Sequence, residues 1–137
     1  MLAENSSKRE EKPIPPNMVE IAELLSNLTK VDGVKASALI GKDGFVIEQK
    51  MRDGVSIDME TVGAIVIGGL HSSEAIGAEL NVGKVEQSMV EYENGIIFSK
   101  LLPEGNVILT VIADQSAMLG NIRYQVAKLA PELQKQL

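Results

Sequence analysis

The chain has 137 residues, 45% of them hydrophobic, and a formal net charge of −6 at pH 7. This length fits one domain with its own core. The absence of cysteine excludes disulfides, thiolate metal sites and thiol nucleophiles. The acidic charge and four scattered aromatic residues argue against nucleic-acid binding. No uncharged apolar run is long enough to span a bilayer and the first residues lack a secretory pattern, so we expect a cytoplasmic protein without membrane insertion.

Residues 1–16 are predicted to form a flexible tail, because charges of both signs and three prolines leave no periodic apolar face. A docking segment is the alternative interpretation of this stretch. Residues 17–137 then form the domain. Asn17, with Glu20 three positions later, matches a capping box and predicts the start of the first helix. The apolar residues of that helix follow at helical spacing: Met18, Ile21, Leu24, Leu25 and Leu28.

Two strands are predicted next, from Val34 to Ile40 and from Phe45 to Met51. Between them, Gly41-Lys42-Asp43-Gly44 supplies the positive φ angles of a tight turn. A long central helix from Met59 to Leu80 follows, with Asp58 as its N-cap and a stop at Asn81 and Gly83.

The central helix is predicted to be apolar on nearly all sides. At 100° per residue, one broad side is expected to pack against the sheet; it contains Met59, Val62, Ile65, Val66, Gly69, Leu70, Ser73, Ile76, Gly77 and Leu80. The opposite side contains Glu60, Ala64, Ile67, Gly68, His71, Ala75 and Ala78, with Glu74 at its margin. A solvent-facing strip of small residues is typical of close helix–helix contact. The pattern therefore favours an association module over a solitary enzyme.

The C-terminal half is predicted to contain three strands and a last helix. The strands run over Val85–Glu93, Ile96–Leu102 and Val107–Ala113, and Asn94-Gly95 indicates a two-residue hairpin. The last helix is expected to be capped by Ser116 or Asp114 and to kink or restart at Pro131. The order α-β-β-α-β-β-β-α predicts an α+β fold with a mainly antiparallel sheet and helices on both faces.

The sequence contains no recognisable catalytic constellation, so we expect no catalytic residues, no metal and no cofactor. His71 is the only histidine, and without cysteine or a pair of carboxylates at ligand spacing it makes a poor metal site. It is interpreted as a surface or interface histidine, and a pH-sensitive contact is the alternative. Arg52, beside the turn at Gly54, is the best formal candidate for an arginine finger.

The order of elements and three local stretches resemble the Roadblock/LC7 domain family. The stretches are Gly33–Ile40 followed by Asp43-Gly44, the small-residue central helix, and Val107–Ile112 leading to Ala117–Arg123. The resemblance implies a five-stranded antiparallel sheet of profilin-like architecture, with the first and last helices on one face and the second on the other. Family members dimerise by pairing their third strands and packing their second helices together, which gives a ten-stranded sheet.

The resemblance implies a homodimer that binds and regulates a small Ras-like GTPase, because the family includes prokaryotic GTPase regulators, dynein light chains and lysosomal scaffold subunits. The implied dimer interface comprises Ala64, Gly68, His71, Ala75, Val85, Gln87, Met89, Val90 and Glu91. The implied GTPase-binding residues are Glu60, Ile67, His71, Glu74 and Ala78. A non-catalytic scaffold or adaptor that holds a helical peptide is the alternative, and a small-molecule sensor or enzyme is the third.

The residues themselves support the dimer at the predicted third strand. Val85–Tyr92 contains neither proline nor glycine, so at a sheet edge it would leave backbone groups unpaired. Pairing with a second copy removes that exposure. A monomer in which Glu86 and Glu91 protect the edge is the alternative.

Overall fold

A computed structural model describes residues 16–137. These residues form α1 (Pro16–Thr29), β1 (Val34–Gly41), β2 (Val46–Met51), α2 (Met59–Leu80), β3 (Gln87–Tyr92), β4 (Gly95–Leu101), β5 (Val107–Asp114) and α3 (Leu119–Lys135). The predicted fold class and order of elements are confirmed. The predicted tail lies outside the described residues except for Pro16, which begins α1.

The five strands form one sheet in the order β2-β1-β5-β4-β3, and every neighbouring pair is antiparallel. β5 lies at the centre, in agreement with the apolar run in its sequence. Within residues 16–137 the two edges of the sheet are β2 and β3.

Helices cover both faces of the sheet, as predicted. On one face α1 and α3 pack on residues such as Leu39, Phe98 and Leu109. On the other face α2 packs on Ala38, Ile40 and Ile108. None of the helices described in residues 16–137 has the combination of length and apolar composition needed to cross a bilayer.

The side of α2 that packs on the sheet is rotated from the predicted side, and the two share the buried residues Met59, Leu70 and Gly77. The other buried residues of the helix are Gly63 and Ile67. Gly63 brings the helix close to β1, because a Cβ there would lie 3.2 Å from Cδ1 of Ile40. The prediction that Ile67 faces solvent is therefore wrong, as is the prediction that Ile65, Ile76 and Leu80 are buried: these three are 70%, 60% and 64% exposed.

Several predicted boundaries also shift. Asn17 lies inside α1 and is not its N-cap, since proline at the first helical position starts the helix. The third strand begins at Gln87, and its two-residue turn is Glu93-Asn94 because Tyr92 pairs with Gly95. Met118 precedes α3 without a side-chain cap, and α3 continues through Pro131. The caps predicted for α2 are confirmed, with Asp58 accepting from the Thr61 N–H at 3.3 Å and Asn81 in the left-handed region.

Candidate interaction surface on α2 and β3

The edge strand β3 is uncovered on both of its faces. Gln87, Met89, Val90, Glu91 and Tyr92 are all exposed, although three of them have large apolar side chains. A groove separates the strand from α3 on one face of the sheet and from α2 on the other. An exposed strand of this composition is an unusual surface for a solitary domain.

The backbone of β3 presents free hydrogen-bonding groups at the sheet edge. The Leu101 N–H donates to the Glu86 carbonyl at 3.0 Å, so these two residues form a hydrogen-bonded pair. In an antiparallel pair of strands, every second residue from such a pair again bonds to the neighbouring strand. Positions 88, 90 and 92 therefore bond to β4. The backbone groups of Gln87, Met89 and Glu91 point away from the sheet, ready to pair with another strand.

The opposite edge, β2, is better protected against such pairing. The Gln49 N–H points outward there and is bonded by the Glu48 carboxylate at 2.9 Å. β2 also carries a second charge at Lys50, and charged side chains discourage strand addition. β3 has a single charged residue, Glu91. Of the two edges, β3 is therefore the one suited to pairing with another chain.

A groove lies between α2 and the strands β3 and β4, and we name it the α2-side groove. It has a volume of about 450 Å³ and is lined by Val62, Ile65, Val66, Gly69, Leu70, Ser73, Ser88, Val90, Tyr92, Ile97 and Ser99. Its lining is mainly apolar, and it opens at the free edge of β3. A Cβ on Gly69 would meet no atom within 4 Å, so the helix surface there is open.

The predicted interface residues divide between two surfaces. Gln87, Met89, Val90 and Glu91 lie on the exposed edge strand, whereas Val85 precedes it and donates its N–H to Glu74 at 3.3 Å. Ala64, His71 and Ala75 are exposed but do not line the α2-side groove. At 100° per residue these three residues lie on the side of α2 that is opposite the groove. Gly68 lies between them and the line of the helix that is farthest from the sheet.

We name that opposite side the outer flank of α2; its exposed residues are Glu60, Ala64, His71, Ala75 and Ala78. Of the predicted partner-binding residues, Glu60, His71 and Ala78 lie on it. Glu74 is half-buried and holds the segment before β3. Ile67 is only 7% exposed, so its side chain is unavailable to a partner. It is buried because the face centred on Gly63 packs against the sheet.

Two other candidate sites were a metal site and an arginine finger. Between residues 16 and 137, no three of the histidine, aspartate and glutamate side chains come together as a metal site. Arg52, the formal arginine-finger candidate, lies 3.6 Å from the Asp114 carboxylate. Asp114 also accepts the backbone N–H of Ser116 at 2.9 Å and its hydroxyl. Arg52 thus forms a partly exposed ion pair at the end of β5.

The Asp114 contacts predict a pH-dependent contribution to stability. Hydrogen bonds from the Ser116 hydroxyl and N–H, with the charge of Arg52, hold the pKa of Asp114 below its usual 3.8. Its stabilising contribution is therefore complete above the unfolded pKa and is lost as pH falls through the lower folded pKa. We expect Asp114→Asn to lower Tm by a constant amount above about pH 5 and by progressively less towards pH 2. A difference in Tm that is unchanged at pH 2 would contradict this.

Comparisons with known proteins agree with this architecture. The Roadblock/LC7 domain family model matches residues 20–113. The uncharacterized protein MJ0310 of Methanocaldococcus jannaschii is 34% identical over 113 residues, covering 82% of this chain and 96% of that protein. MJ0714 of the same organism is 35% identical over 118 residues, covering 85% and 97%. The chain belongs to the Roadblock/LC7 domain family.

Solved structures show the same fold at lower identity. MglB from Myxococcus xanthus superposes with a TM-score of 0.77 at 22% identity, covering 85% of this chain and 93% of that chain. The gliding protein MglB from Thermus thermophilus gives a TM-score of 0.83 at 17% identity, covering 90% and 93%. These similarities support the fold of this chain.

Proposed function

We propose that this chain forms a homodimer through β3 and the α2-side groove, and that the dimer binds and regulates a small Ras-like GTPase without catalytic residues of its own. The observation that carries the proposal is the exposed β3 strand, which borders the mainly apolar α2-side groove. The GTPase assignment rests on the family resemblance together with the exposed outer flank of α2.

Pairing of β3 with β3 of a second copy satisfies the free backbone groups of Gln87, Met89 and Glu91. Two identical edge strands pair antiparallel around a two-fold axis, so each copy contributes the same residues. The result is a ten-stranded sheet. The two β2 strands then lie at the ends of this sheet. Their charged side chains, and the bond from the Gln49 N–H to Glu48, disfavour the addition of further strands.

Strand pairing also brings a second α2 over the α2-side groove. Ile65 and Ile76 are exposed on this side of the helix and would be buried against the partner. Removing such apolar surface from water stabilises association by about 25 cal/mol per Å². Gly69, with open space where its Cβ would be, allows the two helix backbones to approach closely. This contact explains why position 69 is glycine, although glycine destabilises an isolated helix by about 1 kcal/mol relative to alanine.

The neighbouring glycines Gly68 and Gly69 give a matched test of this packing. Neither would place a Cβ within 4 Å of another atom, so alanine at either position should stabilise the isolated fold by about 1 kcal/mol. Only Gly69 lines the groove. Gly69→Ala should therefore overpack the helix contact by about 1–3 kcal/mol and raise the dimer Kd roughly 5- to 150-fold. Gly68→Ala should leave that Kd nearly unchanged; equal effects of the two substitutions would count against the packing.

The outer flank of α2 stays exposed in such a dimer and is the proposed GTPase-binding surface. Its side chains at Ala64, Ala75 and Ala78 are small, so another protein can lie close to the helix, and Glu60 and His71 offer polar contacts. Regulation would be conformational: a surface that binds the switch loops of one nucleotide state better than the other shifts the GTPase towards that state.

Binding to a small GTPase encoded in the same genome tests the assignment. The full chain is immobilised and exposed to the GTPase loaded with a non-hydrolysable GTP analogue or with GDP. We expect at least about a 10-fold preference for one form, since a smaller difference in affinity shifts a two-state equilibrium little. Equal binding to both forms, or none, would remove the switch mechanism.

Two alanines on different helices provide the matched control. Ala75 on the outer flank and Ala127 on α3 are both exposed, so arginine at either position should preserve the fold. Ala75→Arg should abolish GTPase binding while the dimer persists. Ala127→Arg should not affect it. The reverse pattern would place the GTPase on the other face of the sheet.

A further inference from the structure

The backbone of β3 restricts the register in which two copies of the strand can pair. Gln87, Met89 and Glu91 direct their backbone groups away from the sheet, and two such residues must lie opposite each other to exchange a pair of bonds. With Met89 on the two-fold axis, Gln87 lies opposite Glu91 of the second copy and all three residues bond. With Ser88 or Val90 on the axis, only two of the three find such a partner within the strand. The register centred on Met89 therefore satisfies the most backbone groups.

That register brings side chains of opposite charge towards each other across the interface. Gln87 pairs with Lys100 of β4 in its own chain, and both side chains line a groove on the α3 side of the sheet. Glu91 projects on the same side, because it lies an even number of residues from Gln87 on the same strand. Glu91 of one copy thus lies beside Gln87 of the other copy, one strand away from Lys100.

The separation of the two charged residues suits an ion pair. Across the dimer contact, Gln87 and the opposite Glu91 form a hydrogen-bonded pair, with Cα atoms about 5.5 Å apart. Gln87 and Lys100 form a non-hydrogen-bonded pair, with Cα atoms about 4.5 Å apart. The Cα atoms of Glu91 and of the second copy's Lys100 therefore lie roughly 10 Å apart. A lysine and a glutamate side chain that point towards each other can span this distance.

Both charged groups are available for such a pair in the single chain. Within residues 16–137, neither Glu91 nor Lys100 forms an ion pair. The cross-strand neighbours of Lys100 are Gln87 and Leu109, and that of Glu91 is Ile96. No charged side chain therefore lies directly opposite either residue until a second copy is added.

We propose that Glu91 of each copy forms an ion pair with Lys100 of the other, and that these two pairs select a second copy of this chain as the dimer partner. The inference rests on the dimer part of the proposed function and adds its register and its selectivity. The two-fold axis forms the contact twice. A partly exposed ion pair stabilises only weakly, but like charges at the same place repel. The charges therefore act mainly against related chains that lack this pattern.

Charge reversal tests the two ion pairs. Glu91→Lys alone, or Lys100→Glu alone, sets like charges together at both contacts, so each should raise the dimer Kd at least about 10-fold. The double variant Glu91→Lys/Lys100→Glu restores opposite charges, and its Kd should return to within about 3-fold of the unmodified value. The two residues of one chain lie about 14 Å apart along the strands, so the rescue has to come from the second copy.

Mixing the double variant with the unmodified chain tests partner selection. The mixed dimer sets lysine against lysine at one contact and glutamate against glutamate at the other. We expect native mass spectrometry to show two homodimers, with the mixed dimer at least about 5-fold below its statistical amount. Free mixing, the absence of a loss in the single variants, or the absence of rescue in the double variant would overturn the proposal.

Two reversals elsewhere on the surface are the matched controls. Glu23 on α1 and Lys128 on α3 are exposed and lie away from β3, and their reversal changes the net charge by the same amounts. Glu23→Lys and Lys128→Glu should leave the dimer Kd nearly unchanged and mix statistically with the unmodified chain. Effects equal to those at Glu91 and Lys100 would show that net charge alone acts, and would overturn the ion pairs.

Single cysteines test the register independently, because the chain has no cysteine of its own. Met89→Cys places two thiols on the axis with Cα atoms about 5.5 Å apart, a distance that a disulfide spans. Ser88→Cys and Val90→Cys place them roughly 8 Å apart, which is too far. With diamide as oxidant, Met89→Cys should give at least about 5-fold more covalent dimer than the other two on a non-reducing gel. More covalent dimer from Ser88→Cys or Val90→Cys would overturn the register.

Sedimentation equilibrium on the same samples separates this proposal from the homodimer itself. An unmodified chain that sediments as a dimer, with a Kd that the reversals do not change, overturns the ion pairs and leaves the homodimer in place. An unmodified chain that sediments as a monomer overturns the homodimer, and the ion pairs with it.

Discussion

Met89→Pro is expected to convert the homodimer into a folded monomer. Met89 directs its N–H away from β4, so proline there removes a donor from the dimer contact but none from the sheet of its own chain. The two-fold axis repeats the loss, and each carbonyl left without a partner costs about 1–3 kcal/mol. The dimer Kd should therefore rise roughly 30-fold or more, as measured by sedimentation equilibrium.

Gln49→Pro is the matched control at the other edge of the sheet. Gln49 also directs its N–H outward, where the bond that it loses is to its neighbour Glu48. Proline at this position should leave both the fold and the dimer mass unchanged. If Gln49→Pro dissociates the dimer and Met89→Pro does not, the copies associate through β2 and the account of the interface is incorrect.

Two isoleucines on α2, only two positions apart, are expected to respond oppositely to aspartate. Ile67 is 7% exposed and packs in the core between α2 and the sheet. Ile67→Asp loses the burial of an isoleucine and places a carboxylate among apolar side chains, which together cost about 4 kcal/mol or more. Because whole domains are stable by about 5–15 kcal/mol, this variant should be largely unfolded or show a greatly lowered Tm.

Ile65→Asp should retain the fold, because its side chain is 70% exposed in the single chain. Its Tm at high dilution should change little. The dimer should nevertheless dissociate, because Ile65 lines the α2-side groove and two aspartates would be brought together near the axis. Circular dichroism and sedimentation together distinguish the two variants. An unfolded Ile65→Asp, or a stable Ile67→Asp, would contradict the orientation of α2.

Much of the architecture is predictable because local signals agree with one another. Asp58 and Asn81 mark the ends of α2 through capping chemistry that depends on neighbouring residues alone. The turn residues predict each hairpin, with the turn before β4 shifted by one position, and the apolar run of β5 identifies the central strand. The family resemblance implies that the third strand lies at the edge of the sheet, and the sheet order confirms that position.

The orientation of α2 could not be predicted from periodicity. One side of this helix packs on its own sheet and another is apolar and exposed, and both sides contribute to a single broad apolar pattern. The deciding contact is between Gly63 and Ile40, which are far apart in the sequence. Because Gly63 contributes little to a hydrophobicity pattern, the sequence pattern places the buried face closer to Ile65 than to Ile67. For the same reason, the dimer interface that we propose on α2 lies on the groove side and not at the predicted Ala64, His71 and Ala75.

Amide hydrogen exchange of the unmodified chain tests the central claim most directly. The N–H groups of Met89 and Glu91 point out of the single-chain sheet, so only pairing with another strand protects them. We predict that both exchange at least about 100-fold more slowly at micromolar concentrations than after dilution to the monomer. Exchange of Met89 and Glu91 at the same fast rate before and after dilution would contradict pairing through β3.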